Sequence, residues 1–313
     1  VLDKGYVQLI DVMGSDSDIC DAARVSYGKG TKTVSNDETL LRYMMRHGHT
    51  SPFEMAELKF KIHIPMDAWR QWIRHRTANV NEISTRYSEA CDDMAETNPN
   101  EWRLQSKSNR QGSQGYLTEW PGDIDYAVEH MGFDTPGEYL SYQEFRLHDS
   151  IKNVYQARLR LGVAREQARK DLPLSQYTTA IWKIDLHNLL GFTRKRLSAQ
   201  LEIAQYAKAI YESFVRPLFP MTYSAFEDYV LHGVTLSRME VNAIRSMLEC
   251  VCMSFPIQDE GVKAIQGFCD SLVVGEYSHT SYYNRRELNE LLEKLQRILP
   301  KSITLKSDGG TSK

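Results

Sequence analysis

Leu58, Phe60, Ile62 and Ile64 alternate with Lys59, Lys61 and His63, the period-two pattern of a strand with one face buried. Residues 6–13 make a second, less regular strand candidate. Between the two, Ser35 and Glu38 form a capping-box pair ahead of Leu40, Leu41, Met44 and Met45, which predicts a helix, and Gly48 is placed to end it. Pro65 suits the first turn of a helix, so residues 65–76 are predicted helical with Ala68, Trp69, Trp72 and Ile73 on the apolar stripe.

The later chain is expected to be helical over about 137–161, 164–171, 176–195 and 199–215, with Gly162 and Pro173 as stops. Ser237 and Glu240 cap a further helix. Asn284 opens a last one, whose Leu288, Leu291, Leu292, Leu295 and Ile298 share a face. The tail 306–313 is expected to fray. Residues 92–136 are rich in Asn, Ser and Gly and show little periodicity, which predicts a long covering or binding loop. Strands cluster early and helices dominate later, so the expected fold is mixed α/β (α+β): a central, mostly antiparallel sheet flanked by helices.

Composition narrows the partners. The net charge of −3 over 313 residues argues against bulk attraction to nucleic acid or to anionic lipid, so anion binding must come from a local cluster. No apolar run reaches the roughly 18 residues of a membrane span, and the first residues lack a basic-then-apolar signal pattern. The five cysteines, Cys20, Cys91, Cys250, Cys252 and Cys269, fit neither a zinc knuckle nor a C-x-x-C pair. Reduced thiols in a cytoplasmic protein are expected.

The densest polar constellation runs from Arg70 to Arg76 and continues as Asn81-Glu82-Ile83-Ser84-Thr85-Arg86-Tyr87. At helical spacing Arg74, His75 and Arg76 would fan through about 200°, enough to serve anions on different sides of a helix end. A solvated basic surface is the plain alternative. Two preceding tryptophans imply a packed helix, and Glu82, Ser84 and Arg86 can hydrogen-bond a heterocycle or a phosphate. Ser84 has no adjacent base, so it is expected to bind ligand rather than to act as a nucleophile. His47 and His49 have poor zinc spacing. Trp69 and Trp72 are expected in the core.

R-H-R at 74–76, seven residues, then Ser84 resembles the signature of flavin-dependent thymidylate synthases. A-A-R-V-S at 22–26, H-G-H-x-S-P-F-E at 47–54, N-E-x-S-x-R-Y at 81–87, V-A-R-E-Q-A-R at 163–169, W-K-I-D-L-H-N at 182–188, F-x-x-x-R at 192–196 and A-Q-x-E-I at 199–203 are similar to the family in the same order. The likeness covers about residues 1–225, interrupted by 92–136. It implies a catalytic domain over 1–225 and leaves 226–313 as a helical extension. It further implies reductive methylation of dUMP, with methylenetetrahydrofolate as one-carbon donor and NADPH reducing a bound FAD.

By the same resemblance Ser26, Ser51, Glu54, Arg74, His75, Arg76, Asn81 and Glu82 would contact FAD, joined by Asp185 and His187 of a neighbouring subunit. Gln71, Arg74, Glu82, Ser84, Thr85, Arg86, Arg169 and Arg196 would hold dUMP, and Arg196 would also stabilise charge on the uracil. The family's active unit is a homotetramer with shared sites. Near Arg196 the chain departs from the family: it is shorter by two before Gln200, and Ser198 stands where a His is usual. Competing readings are a flavin-dependent dUMP hydroxymethylase on the same scaffold and, from another class, a non-catalytic nucleotide- or RNA-binding module. The first separates by the mass of the product, the second by the absence of flavin absorbance.

Overall fold

The computed structural model describes residues 1–26, 36–86, 93–107, 110, 112–120 and 132–254, with positions 290, 294 and 298. Val1–Gly233 form one compact unit and Val234–Lys313 another. In the second, Ser237 and Glu240 close a reciprocal capping box ahead of the helix Arg238–Ser254. Asn284 and the tail 306–313 lie outside the described residues.

The first unit is built on a four-stranded antiparallel sheet of order β1-β2-β6-β3. β1 is Tyr6–Met13, β2 Glu57–Pro65, β3 Asn79–Glu82 and β6 Tyr177–Asp185. Both early strands form where alternation predicts them. Residues 176–195, expected as one helix, are instead the central strand β6 followed by the helix Leu186–Arg196. The segment Tyr177-Thr178-Thr179 through Ile184 is aromatic and β-branched, and its Ala180, Trp182 and Ile184 are buried on one face. Cross-strand pairing decides the conformation: Phe60 faces Trp182, Leu58 faces Ile184 and Ile62 faces Ala180.

On that face lie the helices α1 (Asp16–Arg24), α2 (Asp37–His47) and α3 (Met66–Trp72). Residues Leu186–Arg196 are α6 and Leu201–Ile210 are α7, the latter running into a π-helical turn at Tyr211–Val215. Helix α2 starts one residue later than its predicted cap: Asn36 accepts the Thr39 N–H at 2.9 Å, and Ser35 lies outside the described residues. Gly48 ends it in the left-handed region at φ 67°. Asp16 is buried and ties the N-terminal helix to the end of the unit, accepting from the Met221 and Thr222 N–H groups and the Thr222 hydroxyl.

Helix α3 is shorter than predicted. It ends at Trp72, and the His75 N–H turns back to the Trp72 carbonyl at 3.0 Å. The chain leaves β2 and must cross β6 to pair along its far edge as β3, a lateral step of about 9.6 Å at ordinary strand spacing. The helical fan expected for Arg74, His75 and Arg76 is therefore absent.

The 92–136 segment is also more ordered than a bare loop. It contains a helical turn at Pro99–Glu101 and a hairpin of β4 (Arg103–Gln105) with β5 (Ser113–Tyr116). α4 (Pro136–Arg160) follows, closed at its start by the Thr135–Glu138 capping box, and the short α5 is Arg165–Ala168. Gly137 meets the Pro99 carbonyl so closely that an added Cβ would lie 1.9 Å from it.

The core is most aromatic between α3, β6 and α6, where Trp72 lies 5.0 Å from Trp182 and 4.7 Å from Phe192 by ring centroid. Phe192 is fully buried. Phe192→Ala is expected to lower unfolding free energy by about 3–5 kcal/mol through the lost burial and the cavity left. Chemical denaturation measures it; a loss below about 1 kcal/mol would mean that the cluster collapses to fill the space.

Candidate active site

The end of α3 and the end of α6 meet at a half-buried cation. Arg196, the last residue of α6, donates from Nε to His75 Nε2 at 2.9 Å and from its terminal nitrogen to the Gln71 carbonyl at 2.9 Å. His75 also packs edge-on against Phe192, at 4.9 Å. Burial first, and then the charges of Arg196 and Lys195, push the His75 pKa down from 6.5 to about 4. The imidazole is thus neutral at pH 7 and accepts through Nε2, which places its proton on Nδ1. Burial also lowers the Arg196 pKa, but a guanidinium keeps its charge at neutral pH.

Arg196 borders two cavities of opposite character. One, of about 420 Å³, has Arg74, His75, Arg76, Asn188, Lys195 and Arg196 among its lining residues. Arg74 and Arg76 are exposed, and among the described residues neither has an ion-pair partner. The other is a groove of about 1820 Å³ that includes Asp67, Gln71, Trp102, Phe145, Arg196 and Gln200. The β4–β5 hairpin lies along it, held to α7 by an ion pair from Arg103 to Glu202 at 2.5 Å. Burial raises the Asp67 pKa, and the Glu202 charge adds to it.

A separate polar group sits beyond β3. Arg169 donates to the Thr85 hydroxyl at 2.7 Å. Ser84 accepts the Arg86 N–H at 3.4 Å, the geometry of a local turn. Glu82 pins the edge of the sheet: its carboxylate accepts from the Trp69 indole at 3.0 Å and from the Thr178 hydroxyl at 2.7 Å. An ionised carboxylate retains lone pairs for a further donor.

The structure thus joins Gln71, His75 and Arg196 in one cluster and Thr85 with Arg169 in another. Asn81 and Glu82 lie on the exposed β3. Ser26, Ser51 and Glu54 are exposed, the last two on the helical turn Ser51–Met55. Asp185 caps α6, with both oxygens taken by Asn188 at 2.8 Å; His187 follows in the first turn. His47 and His49 pack around Tyr43, and among the described residues no group of side chains is arranged to hold a metal. Trp69 and Trp72 are core residues.

Sequence reasoning passed over Lys195 and Asp67. The R-K-R run ending α6 was the available signal for Lys195; Asp67 had none, because its partial burial arises only in the folded chain. The shorter connection after Arg196 leaves that residue against His75.

Residues 8–221 match the family model described as thymidylate synthase complementing protein. The chain belongs to that family. Within the thymidylate synthase complementing family it is 47% identical over 250 residues to a flavin-dependent thymidylate synthase of Thermus thermophilus, covering 79% of this chain and 85% of the relative. It is 44% identical over 256 residues to the enzyme of that name from Dictyostelium discoideum, covering 79% of each. Among solved structures it is similar to the UMP/dUMP methylase PolB of Streptomyces cacaoi bound with 5-Br dUMP. That match has a TM-score of 0.60 at 25% identity, covering 73% of this chain and 97% of PolB. Among the described residues no helix is long and apolar enough to cross a membrane.

The depressed His75 pKa makes stability depend on pH with a definite sign. Between about 4 and 6.5 the unfolded chain binds a proton that the folded chain refuses, so stability falls as pH drops through this window and is unaffected by the residue above it. His75→Asn should flatten that part of the profile in denaturant titrations at successive pH values. An unchanged slope would show that the imidazole is not held neutral.

Proposed function

We propose that this chain is a flavin-dependent thymidylate synthase that converts dUMP to dTMP, with 5,10-methylenetetrahydrofolate as one-carbon donor and NADPH as reductant. Residues 1–225 carry the activity, in a cytoplasmic homotetramer whose sites are shared between subunits. The observation that carries the reading is the Arg196 guanidinium, gripped by a neutral imidazole and a backbone carbonyl at the boundary of two cavities.

The basic cavity suits FAD. Arg74 and Arg76 offer two guanidinium groups without ion-pair partners among the described residues, and Lys195 lies beside them; such a set complements a pyrophosphate. Asn81, Glu82, Ser26, Ser51 and Glu54, with Asp185 and His187 of a neighbouring subunit, complete the proposed contacts. Bound FAD supplies two-electron reducing power. The protein's own residues bind and polarise the pyrimidine: Thr85, Arg86 and Arg169 with Ser84 suit the phosphate, and Gln71 and Arg196 the base. Arg196 stabilises negative charge developing on the uracil, and because its guanidinium is already held by two hydrogen bonds it needs little reorganisation to do so. Exposed Ile73, Val80 and Ile83 flank the motif, apolar surface that subunit contact would cover.

Purified protein given FAD, NADPH, methylenetetrahydrofolate and dUMP should yield dTMP by mass analysis. 5-Hydroxymethyl-dUMP as the product would instead assign the hydroxymethylase reaction, and a protein that takes up no flavin would remove the enzyme reading altogether. Arg196→Ala should slow methyl transfer by about 10²–10³ while leaving flavin reduction by NADPH intact. Arg196→Lys should recover only part of the loss, since ammonium lacks the planar fork. Methyl transfer at the wild-type rate in Arg196→Ala single turnovers would take Arg196 out of the mechanism.

A further inference from the structure

Helix α6 turns one face to the core and the other away from it. Leu189, Leu190, Phe192 and Thr193 are buried, whereas Asn188 and Gly191 are half-buried and Arg194 and Lys195 exposed. Asn188 and Lys195 line the basic cavity. Gly191 follows the first by three residues and precedes the second by four, so the helical repeat puts it on their side, about one turn from each.

Glycine is a poor choice there. In mid-helix it has more backbone freedom to lose on folding than any other residue, and alanine in its place ordinarily stabilises the helix. Gly48 is required by its left-handed backbone, and Gly137 by the carbonyl pressed against it. Neither reason applies to Gly191. Its φ is not positive, and an added Cβ would meet no atom within 4 Å. Among the described residues nothing uses the missing side chain, so what uses it comes from outside.

The open space adjoins a cavity lined by Arg74, Arg76 and Lys195, the cations assigned above to a pyrophosphate. In FAD the pyrophosphate joins two flat ring systems, so a cofactor anchored on those cations carries a ring away on each side. A flat ring needs a flat seat. The other outward positions of α6 carry His187, Asn188, Arg194 and Lys195 side chains; Gly191 offers bare backbone.

We propose that Gly191 seats a ring of FAD directly on the backbone of α6, and that the helix is less stable for it. The inference rests on the reading of the basic cavity as the FAD site.

Two substitutions separate cofactor binding from stability. In the full chain freed of flavin, Gly191→Ala should raise the thermal midpoint by about 2–4 °C, the effect of better helix propensity in a unit of this size. The same variant should bind FAD about tenfold more weakly in equilibrium titration, and Gly191→Leu about a hundredfold, as the added atoms meet the ring. Opposite signs in the two measurements are the expected result, with subunit assembly unchanged by gel filtration. FAD bound by Gly191→Leu as tightly as by the wild type overturns the seat while leaving the proposed reaction standing. So does a flavin-free Gly191→Ala no more stable than the wild type, because the glycine would then serve the chain itself. Variants whose subunits come apart also overturn it, since the space would belong to a neighbouring subunit. A wild-type chain that takes up no FAD removes the proposed function and the seat together.

Discussion

The indole of Trp72 lies between Trp182 of the central strand and Phe192 of α6, meeting the first at 82° and the second at 41°. Such edge-on and tilted pairs add about 0.5–1.5 kcal/mol each beyond the area they bury. Their larger effect is positional. Trp72 is the last residue of α3, so anchoring it fixes where the helix stops and where Arg74, His75 and Arg76 emerge. Phe192 holds His75 edge-on and lies one turn before Arg196 on the same helix. One aromatic cluster therefore sets both partners of the His75–Arg196 contact, and neither can shift without the other.

That contact divides the surface by charge. The groove side carries Asp3, Asp67, Glu96 and Glu202, with Lys4 and Arg103 as the counter-charges. The opposite side carries Arg74, Arg76 and Lys195. The cations on the second side have no ion-pair partner among the described residues, so a chain of net charge −3 carries a local positive field there. A protonated His75 beside two further cations would be costly, so the site keeps its imidazole uncharged and uses it as an acceptor.

The alternating apolar residues of β2 were legible because that strand has one buried face, and Gly48 was legible because only a left-handed residue closes α2 in this way. β6 was not. Its composition suited a strand, but Lys183 and Asp185 run directly into the helical Leu186–Arg196, and its conformation depends on β2 and β3, residues distant in sequence. The end of α3 failed for a related reason: Ile73 continues the apolar stripe locally, yet the need to reach β3 ends the helix. Within the site, the R-H-R motif and Arg196 stood out as residue types. The pairing of Arg196 with His75, and the burial that makes Asp67 matter, are products of packing between α3, α6 and α7. Gln200 lay inside a recognised block, but its bond to Gln71 spans 129 positions, and no local pattern encodes that.

The place of β6 in the sheet also shapes how the molecule comes into being. β2 and β3 are both synthesised before it, and each uses β6 as a neighbour. On a ribosome adding about 5–20 residues per second, the apolar face of β2 therefore waits on the order of ten seconds for its central partner. During that interval the nascent chain exposes Leu58, Phe60, Ile62 and Ile64 on a strand paired at most to β1. The bond from the Thr222 hydroxyl to Asp16 closes only after most of the unit has been made. A sheet that is stable once complete thus receives its inner strand β6 after both of that strand's neighbours have been made.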